Sequence, residues 1–331
     1  MNDAGICADG ACPSFPVGRM GFSLPICIPV ALRRAARRPI LLLALMASAC
    51  SSDARVPAAG DIRVTDDAGR EVVLQAPARR IISLIPAQTD VVTLLAGMDV
   101  MLARTQWDTD PRLAHLQSIG NALTPSVEWI AAQRPDLVIA WPDAQSRDVV
   151  QRLTDIGIPV YASRVESIAE IRSMVQRLGV LLGQEARADS IVNGFDAELA
   201  AVRESVAGLS QQRVLYLLSA DPPTVAGPGT FVDELIGVAG GANVFADVRQ
   251  MWPQVSLEEI VRRQPDVIIR PSEDALLDPL IGLRGQPGWR ELRAVQSGRV
   301  FAVDPYFYNR PGATVGAAAR GLAERIHAAP Q

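Results

Sequence analysis

The sequence reads as an α/β protein of two lobes joined by a long helical connection. Three observations carry this reading. Short apolar runs alternate with helical periodicity up to about residue 165 and again from residue 213, as in lobes with largely parallel sheets. Between them lies a stretch of helical spacing with no strand signal. A matching pattern also occurs once in each half, "SVEWIAAQRPDLVIA" from Ser126 and "SLEEIVRRQPDVIIR" from Ser256. A chain of 331 residues suits one large domain or two lobes of ordinary size.

Residues 1–49 are expected to be an N-terminal extension and export signal. Arg33, Arg34, Arg37 and Arg38 precede a short apolar run, Ile40 to Met46, and then Ala47-Ser48-Ala49-Cys50. The run is far below the roughly 20 residues of a bilayer span, so it reads as a cleaved signal. Its end resembles a bacterial lipobox, which implies cleavage before Cys50 and lipidation of that thiol. The start of translation is expected at Met20 or later. Residues 50–61 are small and polar, as a tether should be.

The first lobe is assigned to residues 62–165. "IRVTDDAGREVVL" alternates about Asp67-Ala68-Gly69 and predicts a hairpin. "RIISLIPAQTDVVTLLAG" predicts a strand, a loop marked by Pro86 and a helix ending at Gly97. "VMLAR" is a strand candidate. Ser126 to Arg134 reads as a helix, with Leu137 to Trp141 and "IPVYAS" as strands. Residues 166–183 form the predicted interlobe helix. Ile168, Ile171, Val175, Leu178 and Leu182 share a face, Ser167 and Glu170 make a capping box, and Gly183 is a C-terminal stop. The second lobe, residues 184–331, opens with a helix from Glu185 to Val206. "RVLYLL" then restarts the alternation. "GTFVDELIGVAGG" predicts a helix opened by Gly227 and Gly229. The Ser256 helix, "DVIIR", "RVFAVD" and a last helix from about Gly312 to His327 follow.

Composition excludes several classes. The net charge of −4 gives no reason to expect nucleic acid. Every basic residue is Arg except two His, and there is no Lys. Cys7, Cys12, Cys27 and Cys50 all lie near the N-terminus, so the folded body has neither a disulfide nor a CxxC zinc site. His115 and His327 are too few and too far apart for a zinc or manganese receptor. No GxSxG, P-loop GK[ST] or strand-linked GxGxxG occurs, and no catalytic residue or cofactor is assigned. Asp108-Thr109-Asp110 reads as a solvated turn.

In each repeat a Ser caps a helix and a Pro ends it, so Glu128 and Glu258 fall in the first turn. The helix dipole alone accounts for either Glu singly. Equivalent positions on two lobes offer a pair of anionic knobs to a two-fold symmetric partner. Aromatic residues are only 5% of the chain, yet several follow predicted strands, where the cleft of an α/β protein lies. Pro86 and Ala87 follow "IISLI", Trp107 follows "VMLAR" and Trp141 ends "DLVIA". Trp252 stands before the second repeat, and Tyr306, Phe307 and Tyr308 follow "VFAVD".

From about Ile62 to His327 the chain resembles the periplasmic substrate-binding proteins of vitamin B12, haem and ferric-siderophore ABC importers. The resemblance rests on "RIISLIPAQTD", "PSVEWIAAQRPDLVIAW", the interlobe helix, "MWPQVSLEEI" and "GRVFAVD" leading to "NRPG". "WPQVS" after "GGANVFAD" is most similar to the cobalamin-binding members. The resemblance implies two Rossmann-like lobes on a helical backbone. It implies a corrinoid held one-to-one by Trp107, Trp141, Trp252 and Asp304 to Tyr308, with Ala122 or a neighbour where another contact Trp is usual. It further implies a monomer, held to the membrane only by its lipid anchor, whose Glu128 and Glu258 dock on a dimeric permease with cytoplasmic ATPases. Haem remains the alternative, with Tyr306, Tyr308 or His115 as axial ligand, as does a ferric siderophore, with Arg310 and Arg104 as its basic residues.

Overall fold

The structure, a computed structural model, describes residues 60–272, 280 and 283–329. The signal, the lipobox Cys50 and nearly all of the tether lie outside them. The described residues belong to one unit of contacts, Arg55–Gln331.

Strands β1 (Ile62–Thr65) and β2 (Glu71–Leu74) form the predicted antiparallel hairpin. Asp66 organises its turn. Its carboxylate accepts from the backbone N–H of Ala68 and Arg70, at 3.0 and 2.8 Å, and pairs with the Arg70 guanidinium at 2.7 Å. Gly69 takes φ 76°, which a side chain would resist.

Strand β3 (Ile81–Ser83), helix α1 (Pro86–Ala96), helix α2 (Val127–Ala132), strand β4 (Leu137–Ala140), helix α3 (Arg147–Asp155) and strand β5 (Val160–Ala162) build a parallel sheet of order β3-β4-β5. All three strands are buried, which explains their unbroken apolar runs. "VMLAR" is not a strand. It makes one bridge, Ile81 with Met101, and then turns away so that Arg104 bridges Ser118. Helix α3 was not foreseen from the sequence. It buries only Val150 and Leu153 among polar residues, too few to announce a period.

Helix α4 (Ile168–Leu182) has the predicted capping box and ends on Gly183 at φ 62°. Helix α5 (Glu185–Val206) packs beside it. A Cβ added to Gly179 would lie 2.5 Å from that of Ala188, so the two helices approach as closely as a glycine permits.

Strand β6 (Gln212–Ala220), strand β7 (Pro223–Val225), helix α6 (Phe231–Val238), strand β8 (Gly241–Asn243), helix α7 (Leu257–Arg263), strand β9 (Val267–Pro271), helix α8 (Arg293–Gln296), strand β10 (Val300–Val303), helix α9 (Pro305–Tyr308) and helix α10 (Val315–Ile326) complete the fold. The second sheet runs β10-β9-β6, with parallel β8 and antiparallel β7 also on β6. Thr230, rather than Gly227 or Gly229, caps α6, its hydroxyl accepting from Asp233 N–H at 3.1 Å. Gly227 serves a close approach instead: a Cβ there would lie 2.1 Å from the Gln250 carbonyl.

Strand parity divides the core. Ile81, Leu137, Ile139 and Tyr161 from the first sheet join Val214, Tyr216, Val267 and Ile269 from the second in one apolar cluster, together with the buried faces of α4 and α5. The opposite faces fill separate outer cores, one with Ile82, Val138 and Val160, the other with Leu215, Ile268 and Val300. Polar ties reinforce the centre. Glu234 of α6 accepts from the N–H of Ile168 at 2.8 Å, and Arg172 of α4 pairs with Asp196 of α5 at 2.6 Å.

The sequence repeat is one corner built twice. Ser126 and Ser256 cap α2 and α7. Arg134 and Gln264, the described non-glycine residues with positive φ, turn the chain at 50° and 44° before Pro135 and Pro265. Asp136 then accepts from the N–H of Arg79 and Arg80 at 2.9 Å, and Asp266 from that of Arg213 at 3.0 Å, fixing the start of β3 and β6. The Arg80 side chain donates to the carbonyls of Gln133 and Arg134, and that of Arg213 to the carbonyl of Arg263. Free carbonyls at a helix end are thereby met.

Candidate functional site

The C-terminal ends of β3, β4, β5 and β10 converge on a cavity of about 490 Å³, within the range of small-molecule sites. After β3, Ile85, Pro86 and Ala87 enter α1 along its wall. Trp141 follows β4, and Ser163 to Glu166 follow β5. Facing them, Pro305, Tyr306, Asn309, Arg310 and Pro311 follow β10. The wall combines apolar and aromatic side chains with a few polar ones, as small-molecule sites do.

Trp107 reaches the cavity on a loop braced from behind. Asp108 is 4% exposed, and its carboxylate accepts from the N–H and hydroxyl of Thr105, at 2.6 and 2.8 Å. The Thr105 hydroxyl in turn accepts from Trp107 N–H at 3.2 Å. Arg310 ties this loop to the opposite side. Its guanidinium donates to the Trp107 carbonyl, lies 3.4 Å from the Asp90 carboxylate and stacks 4.9 Å from the Tyr306 ring centre. Burial raises the Asp90 pKa above the usual carboxylate value, against the attraction of Arg310.

Of the residues singled out in the sequence, Pro86, Ala87, Trp107, Trp141, Tyr306 and Arg310 line the cavity. Trp252, Asp304, Phe307 and Tyr308 do not. Trp252 packs partly buried against the central core. Asp304 is the N-cap of α9, its carboxylate accepting from Tyr306 N–H at 2.8 Å. That single turn sends Tyr306 into the cavity and Tyr308, 6% exposed, into the core, with Phe307 edge-on to it at 5.0 Å. His115 is exposed and engages the Arg112 carbonyl, and neither it nor Arg104 lines the cavity. Gln88, Leu123, Ser163 to Glu166, Asn309 and Pro311 are lining residues that the sequence reading passed over. The spacing of Asn309 from Tyr306, one helical turn, was the available signal for Asn309.

Glu128 and Glu258 are both exposed. Glu128 accepts from the Ser126 hydroxyl at 3.2 Å and pairs with Arg152 of α3. Glu258 makes no ion pair among the described residues. Each carboxyl titrates below its usual range, first through its own backbone N–H and then through the neighbouring Ser. No group of three or more His, Cys, Asp or Glu able to hold a metal occurs among the described residues, and none of their helices is long and apolar enough to cross a membrane.

A profile of the family described as periplasmic binding protein matches residues 81–307. The vitamin B12-binding protein of a Vibrio cholerae O1 strain is 30% identical over 236 residues, covering 71% of this chain and 84% of that protein. An uncharacterized ABC transporter substrate-binding lipoprotein of Bacillus subtilis is 28% identical over 274 residues, 80% of this chain and 85% of its own. Among solved structures, the periplasmic vitamin B12-binding protein of Vibrio cholerae superposes with TM-score 0.65 at 29% identity, over 76% of this chain and 97% of its own. The apo haem-binding protein of Roseiflexus sp. RS-1 superposes with TM-score 0.68 at 26% identity, over 76% and 98%.

Proposed function

The chain belongs to the periplasmic binding protein family, whose members are transport components rather than enzymes, and from that premise we propose that it captures a corrinoid, vitamin B12 or a close relative, for an ABC importer. The observation that carries this reading is that Trp107, Trp141 and Tyr306, from elements far apart in the chain, line one cavity. A cavity lined by several aromatic side chains suits a broad, largely apolar macrocycle. The relatives whose names give vitamin B12 as their ligand support the same choice.

The lobes, residues 62–165 and 184–331, hold the ligand between them, with residues 166–183 as their connection. The monomeric protein delivers the ligand to a permease dimer through Glu128 and Glu258. Lipidation at Cys50 keeps it at the membrane outside the cytoplasm.

Haem is the second reading. It is favoured by the likeness to the Roseiflexus protein and by the presence of Tyr306 in the cavity, the one foreseen axial ligand found there. Parallel spectral titrations with cyanocobalamin and hemin separate the two. The corrinoid reading predicts saturable binding of cyanocobalamin and much weaker uptake of hemin. Tight hemin binding with none of cyanocobalamin would replace it.

A further inference from the structure

One wall of the cavity, where α1 meets the chain leaving β5, holds a polar group with nothing to bind. Gln88 lies in the first turn of α1 and is 2% exposed. Its Nε2 donates to the hydroxyl oxygen of Ser163 at 3.1 Å, and Ser163 is fully buried. Both residues line the cavity, among the apolar side chains of Ile85, Ala87 and Val165. Gln88 Oε1 is buried and accepts no hydrogen bond. Turning the amide round does not help: Ser163 would then donate to the oxygen and leave the amide nitrogen unmet. An unmet buried polar atom is costly, and a first-turn helical residue pinned by a buried hydroxyl has little freedom to escape that cost.

We propose that Gln88 is a specificity-determining residue, its Oε1 accepting a hydrogen bond from an amide N–H on the ligand, with Ser163 as the positioning residue that aims the carboxamide. The inference rests on the corrinoid reading and deepens it. A corrinoid carries primary amides around its ring, and these supply the missing donor. The carboxylates at a haem edge are acceptors at neutral pH and leave Oε1 facing like charge. A site built to meet one hydrogen-bonding group rejects analogues that lack it, because its own buried group then stays unpaired.

The experiment compares wild type, Gln88→Met and Gln88→Glu by calorimetric titration with cyanocobalamin, alongside thermal midpoints. Met is close in shape but offers no strong acceptor, so cyanocobalamin affinity should fall about tenfold or more. Glu keeps an acceptor oxygen and should stay within about threefold of wild type. The midpoint of the Met variant should stay close to that of wild type, since one unmet polar atom is removed while Ser163 loses its donor. Equal affinity of the Met variant and wild type overturns the proposal, as does an equal loss in Met and Glu, which marks a merely structural amide. Should the Met variant not fold, Ser163→Ala takes its place: a loss of several-fold is expected, and unchanged affinity overturns the proposal. Wild type that does not bind cyanocobalamin at all overturns the corrinoid reading and this inference with it, whereas binding indifferent to Gln88 overturns this inference alone.

Discussion

Asp90 of α1, paired with the cavity residue Arg310, gives the protein a measurable pH dependence. Burial lets folded Asp90 keep its proton to higher pH than the unfolded chain does. Between the ordinary carboxylate value and the raised one, the folded state binds more protons, so stability falls as pH rises through that window. Asp90→Asn should flatten this part of the curve, read as denaturant midpoints from about pH 4 to about pH 7. An unchanged slope would show that another group titrates there. The same residues mark what single positions in a sequence reveal. Trp107, Trp141 and Tyr306 were legible because large aromatic residues after strand-like runs have few roles. Gln88 and Ser163 were not, because a carboxamide and a hydroxyl look alike at a surface and in a wall. Tyr308 misled because a one-turn helix reverses which neighbour faces the cavity, and nothing in "PYFY" fixes that turn's orientation.

Caps and corners made the long elements readable. Helix α4 was defined by its capping box and Gly183, and its period was clear because one face is wholly buried. Its packing on α5 was hidden, since the close approach of Gly179 to Ala188 joins residues with no local pattern. Gly179→Ala should therefore lower stability, although alanine favours an isolated helix by about 1 kcal/mol. A thermal midpoint at or above that of wild type would show that the helices separate freely. The repeated corner was visible in the sequence, but its cause was only partly so. The shared Ser, Pro and Asp are explained by the corner itself, through the caps, the positive φ and the tied strand starts. Glu128 and Glu258 are not needed for the tied strand starts: Glu128 meets the Ser126 hydroxyl and Arg152, and both carboxylates are exposed at the surface. Reversing both to Lys should strongly reduce permease binding and uptake while leaving ligand affinity unchanged, and added salt should slow association. Normal uptake by the double variant would assign both residues to their helix starts alone.

Across the molecule, two lobes were legible from alternation and from the strand-free interval, because parallel sheets leave buried apolar runs that a helical segment cannot mimic. The shared core was not legible, since it depends on strand parity in both sheets at once. Its consequence is mechanical. One face of each sheet, α4 and α5 all pack in a single cluster, so a wide hinge closure would have to shear close-packed side chains. Small-angle scattering should show little contraction on ligand addition, and a large contraction would contradict the continuous core.

If the aromatic cavity takes a corrinoid, calorimetric titration of the protein with cyanocobalamin is the decisive measurement. Binding should saturate at one ligand per chain and weaken by at least about thirtyfold in the Trp107→Ala, Trp141→Ala double variant, as loss of buried aromatic anchors implies. No heat of binding in wild type, or equal affinity in the double variant, would rule out a corrinoid held by these aromatic residues.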